Sequence, residues 1–139
     1  MACTVSCARD LNLRRKKSWI YKSRAKLHSL PTVQKASSDA AISEWVEESA
    51  NKFGGIDIVV SKVSALAIPD TDENWSESIE VDLMGAVRLV KASVPYLEKS
   101  TAPSIVAIST VSGREADLAS GPDGTVKTAM IGYIAGIAF

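Results

Sequence analysis

Two short apolar runs, separated by one long amphipathic stretch, constrain the fold of this 139-residue chain most strongly. The runs are residues 56–60 and 104–108, and each has the length and the apolar character of a buried strand. Between them, residues 73–99 place apolar side chains at helical spacing. This strand–helix–strand order predicts a right-handed βαβ unit on a parallel sheet, and therefore an α/β fold.

Two further helices flank this unit. The first is predicted over residues 39–53, because Ser38 or Asp39 can cap its start and Gly54-Gly55 can end it. The second begins at about Thr125 and runs toward the end of the sequence. Residues 2–8, which are small and partly β-branched, are predicted to form one more short strand.

The net charge of zero hides a strong asymmetry along the chain. Residues 1–36 carry nine basic side chains against one acid, a net charge of +8, whereas residues 37–139 carry a net charge of −8. We therefore divide the chain into a basic, poorly patterned segment (1–36) and a folded core (37–139). The aromatic and basic side chains of residues 14–26 allow a nucleic-acid patch, but no known binding spacing is present, so a poorly packed basic segment is the favoured interpretation.

Composition excludes several classes of protein. No apolar run approaches the roughly 18 residues of a membrane helix. The thiols Cys3 and Cys7 and the single histidine His28 are too few for a disulfide framework or a zinc site, so no metal is expected. The N-terminus lacks the apolar core of a secretory signal, which makes the cytoplasm the expected compartment.

The carboxyl ends of the two predicted strands mark the place to look for a ligand. Parallel sheets bind their ligands beyond these ends, because the loops that leave the strands converge there. The relevant loops are residues 61–65 and 109–113, and both are small and mostly polar. The sequence therefore predicts a site built from these two loops, without specifying its chemistry.

Four segments together resemble the short-chain dehydrogenase/reductase family. They are Gly-Gly-Ile-Asp-Ile-Val-Val at 54–60, Asp-Leu-Met-Gly-Ala-Val-Arg-Leu at 82–89, Ser-Ile-Val-Ala-Ile-Ser-Thr-Val-Ser-Gly at 104–113 and Gly-Thr-Val-Lys-Thr-Ala-Met-Ile-Gly-Tyr at 124–133. Their order and spacing match the family, most nearly its 3-oxoacyl-carrier-protein reductase-like members. The resemblance implies a partial Rossmann-type, doubly wound parallel sheet in three α/β/α layers, with residues 3–8 as the family's second strand.

The resemblance also implies catalytic positions. The family uses a tyrosine as proton donor, a lysine four residues later, a serine on the substrate carbonyl and an asparagine in a water relay. Here the lysine is Lys127, the tyrosine position is Asp123, the serine position is Thr110 and the asparagine position is Asp82. Asp123, which we expect to be ionised, has no proton to give, and a pair with Lys127 one helical turn away is interpreted as a surface ion pair.

The implied cofactor is NADP or NAD, and the implied substrate is a small carbonyl or alcohol. Lys127 would hold the nicotinamide ribose, Arg9 would favour the extra phosphate of NADP, and Ser61 begins the tetrad that follows the family's fourth strand. The glycine-rich loop, the first strand and the final strands of the family are not found in the sequence. We therefore expect residues 56–60 to have an uncovered edge and residues 11–36 to form neither helix nor strand.

These observations predict a truncated relative of the family that is inactive as an isolated chain. The alternative is a non-catalytic interaction module. Its helices from about residues 73 and 125 would pair with a complete relative or with a second copy, as they do in the family's dimers.

Overall fold

The structure is a computed structural model, and it describes residues 3–7, 26–30, 36–115 and 120–138. Its elements are, in chain order, β1 (Cys3–Cys7), β2 (Lys26–Leu30), α1 (Asp39–Phe53), β3 (Ile58–Ser61), α2 (Asp72–Glu77), a π-helical segment (Ser78–Met84), α3 (Gly85–Leu97), β4 (Ser104–Ala107), a 3₁₀ turn (Val111–Gly113), a π turn (Ser120–Gly124) and α4 (Thr125–Gly136). The predicted helices and the two predicted core strands are confirmed, with bounds that differ by a few residues.

The four strands form one sheet in the order β2-β1-β3-β4. β3 and β4 are parallel, with Ile58 opposite Ser104 and Ser61 opposite Ala107, which confirms the predicted βαβ unit. β1 lies between β2 and β3 and is antiparallel to both. The sheet is therefore mixed, with a parallel half that carries the core and an antiparallel half at the N-terminal side.

The N-terminal half of the sheet corrects three predictions. The edge of β3 is not uncovered, because β1 pairs along it with Thr4 opposite Val60. Residues 3–7 do form a strand, but they lie beside β3 rather than one strand away, and they run antiparallel to it. Residues 26–30 form a strand in the segment for which we expected none. The physical reason is that the free N–H and C=O groups of an edge strand can form hydrogen bonds with an extended segment that runs in either direction. The rest of the predicted basic segment, apart from Ala36, lies outside the described residues: residues 1–2, 8–25 and 31–35.

Local signals fix the first helix. The Ser38 hydroxyl accepts a hydrogen bond from the Ala41 N–H at 3.2 Å, and the helix ends at Gly54, whose φ of 80° is the left-handed conformation that favours glycine. The apolar face of α1 packs with β3 and α3 in a core of Ala36, Ile42, Trp45, Val46, Ala50, Ile56, Val59, Val63, Val81, Leu89 and Leu97. This core carries the stability of the fold and fixes the position of the strand ends.

The long predicted helix is one continuous helical run with a change of pitch in its middle. α2, the π-helical segment and α3 follow one another without a break from Asp72 to Leu97. Within the π-helical segment the side chains of Ser78, Val81 and Asp82 are buried. A π turn changes the direction in which a side chain leaves the helix, and such turns are often found at functional sites.

The sheet is not covered equally on its two faces. Val59 is completely buried, and Ile105 packs against the same core. On the other face of the sheet, Val106 of β4 and Ile108 just after it are 41% and 45% exposed. In the same parts of the chain, no helix is both long enough and apolar enough to cross a membrane.

Candidate functional site

The two predicted loops do meet at the carboxyl ends of β3 and β4. The Ile108 N–H donates to the Ser61 carbonyl at 2.8 Å, which extends the strand pairing to the point where the loops diverge. The start of α4 and the π-helical segment pack against the same place. Four parts of the chain that are distant in sequence therefore converge on one small polar cluster.

Asp82 is the centre of this cluster, and its side chain is completely buried. Its Oδ1 accepts from the Ala65 N–H at 2.7 Å, and its Oδ2 accepts from the Ser64 hydroxyl at 3.1 Å. The same Oδ2 lies 3.0 Å from Nζ of Lys127. A buried carboxylate needs such partners, because an unpaired buried charge is strongly unfavourable.

Lys127 is buried as well, with 5% of its side chain exposed. Besides the Asp82 carboxylate, its ammonium donates to the Val63 carbonyl at 3.4 Å. The predicted surface ion pair between Asp123 and Lys127 is therefore wrong in both respects: the lysine is not at the surface, and its carboxylate partner comes from the long helical run. Regular i, i+4 spacing does not apply, because Asp123 lies in the π turn and the backbone at Gly121 is not helical.

Asp123 joins the cluster through a different residue. The Ser64 Oγ lies 3.4 Å from its Oδ1, as well as 3.1 Å from Oδ2 of Asp82. A serine hydroxyl carries one proton, so it donates to one of these carboxylates at a time, and the shorter contact favours Asp82. Asp123 is half-buried, and it contributes a second negative charge at the edge of the cluster.

Ser64 is the residue of the site that the sequence did not assign a role. Its Oγ also accepts from the Leu66 N–H at 3.2 Å, and Leu66 has a positive φ of 56°, a conformation that is unusual for a residue other than glycine. The signal in the sequence is the position of Ser64 at the end of the tetrad that begins with Ser61, the last residue of β3. Its bridging contacts to two carboxylates depend on residues 18 and 59 positions away, which no local pattern reveals.

The loop after β4 packs against the start of α4, beside the polar cluster. The Ser109 hydroxyl donates to the Lys127 carbonyl at 3.5 Å, and the Thr128 hydroxyl donates to the Gly113 carbonyl at 2.7 Å. Gly113 packs tightly here, because a Cβ there would lie 3.0 Å from Oγ of Ser109 and 3.1 Å from Cβ of Lys127, and these neighbours would have to move. Thr110, the predicted serine equivalent, is half-buried at the start of the 3₁₀ turn in the same loop.

The remaining predicted residues stand apart from this cluster. Ser61 is buried at the end of β3, with 2% of its surface exposed, so it offers little surface to a cofactor. Arg9 lies outside the described residues. Among the residues whose side chains are described, no group of three or more His, Cys, Asp or Glu side chains could hold a metal ion.

Tyr133 does not replace the missing tyrosine. Burial raises the pKa of its phenol. It follows Lys127 by six residues on α4, which at about 100° per residue places it roughly 240° around the helix. The cluster therefore contains carboxylates, hydroxyls and one ammonium, but its described residues include no phenol.

Comparison of the sequence and of the fold with known proteins identifies the family of this chain. The family model described as short chain dehydrogenase matches residues 3–139. Isoepoxydon dehydrogenase patN of Penicillium expansum is 44% identical over 80 residues, which are 58% of this chain and 30% of that protein. The chain therefore spans about a third of the length of this relative.

Solved structures give the same result for the fold. Carveol dehydrogenase from Mycobacterium avium in complex with NAD has a TM-score of 0.67 and 27% identity, over 74% of this chain and 39% of that one. A short chain dehydrogenase from Burkholderia cenocepacia in complex with NADP has a TM-score of 0.68 at 21% identity, over 75% and 44% respectively. These likenesses confirm the predicted partial Rossmann-type α/β fold. Since the family model spans almost the whole sequence, the chain belongs to the short-chain dehydrogenase family.

Proposed function

We propose that this chain is part of an NAD(P)-dependent oxidoreductase that interconverts a small alcohol and a ketone, and that the 139-residue chain alone does not catalyse the reaction. The family supports a nicotinamide-dependent oxidoreductase in general. The 3-oxoacyl-carrier-protein reductase-like subtype and the inactivity of the isolated chain are our proposals. The first rests on the sequence resemblance of the four segments, and the second rests on the residues at the site.

The observation that carries this proposal is the position of Lys127. It lies in the first turn of α4, beside the carboxyl ends of β3 and β4, where ligands of parallel sheets bind. By the sequence resemblance, Asp82, Thr110 and Asp123 correspond to the family's other catalytic positions, and Asp82 and Asp123 lie in one network with the lysine. This arrangement supports a site with the family's layout, although its side chains differ.

The side chains present do not fit a nicotinamide cofactor. The ammonium of Lys127, which in the family holds the ribose, is paired with Asp82 and the Val63 carbonyl inside the chain. Asp123, in the place of the proton donor, adds a negative charge where an alkoxide would develop. We therefore derive no catalytic step through the cofactor, and Arg9 remains the sequence-based argument for NADP over NAD.

Cofactor binding tests the proposal directly. Purified chain is titrated with NADPH and, separately, with NADH, and the binding is followed by nucleotide fluorescence. We expect no saturable binding below about 10 μM, which corresponds to roughly −7 kcal/mol. Tight saturable binding, together with oxidation of NADPH by a generic β-keto substrate, would show that the isolated chain is a working reductase and would overturn the proposed inactivity.

A second candidate function is supported by the exposed apolar side chains of the two long helices. Ile79 and Val94 on the long helical run and Ile137 after α4 are 43%, 37% and 41% exposed. Val94 and Ile137 line one groove of about 440 Å³, together with Leu97, Ile105 and Ile134. Apolar surface of this kind favours the interaction module predicted above, in which the helices pair with a complete relative or with a second copy.

The oligomeric state tests this second candidate. Light scattering of the chain alone, and of its mixture with a complete short-chain dehydrogenase, measures both kinds of pairing. A Val94→Ser/Ile137→Ser variant should lose any such pairing while the polar cluster around Asp82 is unchanged. A monomer in both experiments would leave the interaction module without support.

A further inference from the structure

We propose that Asp82 is a positioning residue that holds the Lys127 ammonium inside the chain and so keeps it from a nicotinamide cofactor. This inference deepens the proposed function, since it assigns the mismatch with the cofactor mainly to one carboxylate. It concerns the chain's own residues, and it can be tested without a cofactor.

The carboxylate of Asp82 is held at both oxygens. Its Oδ1 is fixed by the Ala65 N–H at 2.7 Å, and its Oδ2 receives the Ser64 hydroxyl at 3.1 Å. Rotation of the carboxylate away from the lysine would break the short bond to the backbone. The π-helical segment supports this orientation, because it directs the buried Asp82 side chain toward the start of α4.

Lys127 has little alternative to this partner. Its ammonium lies 3.0 Å from Asp82 and donates to the Val63 carbonyl at 3.4 Å, and only 5% of its side chain reaches solvent. The Ser109 hydroxyl and the tight packing of Gly113 constrain its backbone and its Cβ. An asparagine in place of Asp82 would keep the shape and the bond to Ala65 but would remove the charge that neutralises the ammonium.

The pair also determines what Asp123 can do. Among the described residues, Asp123 contacts the cluster through Ser64, whereas Asp82 contacts both Ser64 and the lysine. A tyrosine restored at position 123 would therefore stand beside a lysine whose charge is already matched. Consequently, the effects of substitutions at 82 and 123 should not be independent.

Lysine reactivity measures whether Asp82 holds Lys127. The full chain is treated with trace acetic anhydride, and the acetylation rate of each lysine is measured by mass spectrometry. In the wild type, Lys127 should react at least about tenfold more slowly than the exposed Lys62. Asp82→Asn should raise the rate at Lys127 by roughly fivefold or more, because a lysine without its partner leaves the interior more readily.

Glu80→Gln is the matched control, since it removes a carboxylate from the same helical segment that pairs with Arg88 and not with Lys127. It should leave the rate at Lys127 within about twofold of the wild type. If Asp82→Asn fails to fold, as judged by circular dichroism, Ser64→Ala replaces it. That variant keeps the charge of Asp82 but removes the hydrogen bond from the Ser64 hydroxyl, and it should increase the acetylation rate of Lys127 by a smaller factor.

Two results would overturn the inference. One is a Lys127 that reacts as fast as Lys62 in the folded wild type. The other is an acetylation rate at Lys127 that does not change in a folded Asp82→Asn variant. If Asp82→Asn does not fold, an unchanged rate in folded Ser64→Ala has the same meaning. Neither depends on NADPH, so failure of this inference is distinct from failure of the proposed function.

Discussion

One helical run, residues 72–97, contributes to three ion pairs, and two of them, those of Asp82 and of Glu80, differ in their surroundings. Asp82 and Lys127 pair in the interior, with 0% and 5% of their side chains exposed. Two residues earlier, Glu80 pairs with Arg88, and their side chains are 44% and 14% exposed. Arg88 also contacts Asp39 at 3.2 Å, whose side chain is 81% exposed.

The difference shows where charge matters in this molecule. Water solvates the Glu80 carboxylate whether or not Arg88 is present, so this pair contributes little to the free energy of unfolding. The Asp82 carboxylate has no such alternative, and its charge must be matched by the lysine and by hydrogen bonds. We therefore assign a controlling role to the buried pair and a minor surface role to the other, and the following predictions test that contrast.

The largest expected effect is on catalysis in a chimera. This chain is grafted into a complete short-chain dehydrogenase, which supplies the parts that its relatives have and this chain does not match. Asp123→Tyr alone should restore little activity, because Lys127 is still paired with Asp82. Adding Asp82→Asn should raise NADPH-dependent turnover by about 10²–10⁴-fold, the usual range for general acid catalysis.

Steady-state NADPH oxidation with a generic β-keto substrate measures this effect. Thr110→Ser should add less, since Thr110 already provides a hydroxyl. Adding Lys127→Met to the double variant should abolish the gain. A full gain from Asp123→Tyr alone would mean that Asp82 does not restrain the lysine.

The next effect is on stability. Lys127→Met removes the ammonium and leaves the Asp82 carboxylate buried without its counter-charge, which should lower the free energy of unfolding by about 3–5 kcal/mol. Urea unfolding followed by tryptophan fluorescence measures this change. Lys62→Met, at an exposed position of the same loop region, is the control and should change stability by less than about 1 kcal/mol. Equal effects of the two substitutions would contradict the account.

A smaller effect is expected beside the buried cluster. Gly113→Ala should cost about 1–3 kcal/mol, because the added Cβ would meet Ser109 and Lys127 at 3.0 and 3.1 Å. Gly132→Ala is the matched control on α4, where nothing lies within 4 Å of the added atom. There, alanine should stabilise the helix by up to about 1 kcal/mol. Thermal unfolding of the two variants should therefore shift in opposite directions.

The smallest effect belongs to the pair of Glu80 and Arg88, whose carboxylate is partly exposed. Glu80→Gln should change the free energy of unfolding by less than about 1 kcal/mol, and added salt should reduce even this difference. Urea unfolding at low and high salt provides the measurement. A loss as large as that of Lys127→Met would remove the contrast between the two pairs.

The sequence predicted well what neighbouring residues determine. The cap at Ser38 and the left-handed Gly54 bound α1 as expected, and the apolar runs became β3 and β4. The position of Lys127 at the start of α4 also followed from its motif. In each of these cases the information lies within one turn or one strand of the chain.

The remaining features depend on contacts between distant parts of the chain. The pairing of β1 with β3 joins residues more than 50 positions apart, and nothing local distinguishes an antiparallel neighbour from a parallel one. Regular helical spacing predicts Asp123, four residues away, as the partner of Lys127. The π turn breaks that spacing, and the π-helical segment 45 residues earlier supplies Asp82 instead.

A double-mutant cycle on the buried pair tests the central claim most directly. The free energy of unfolding is measured for the wild type, Asp82→Asn, Lys127→Met and the double variant. If the two charges hold each other, each single substitution is costly and the double variant recovers part of the loss, with a coupling energy of about 2 kcal/mol or more. Additive losses, with a coupling energy below about 0.5 kcal/mol, would show that Asp82 does not hold Lys127.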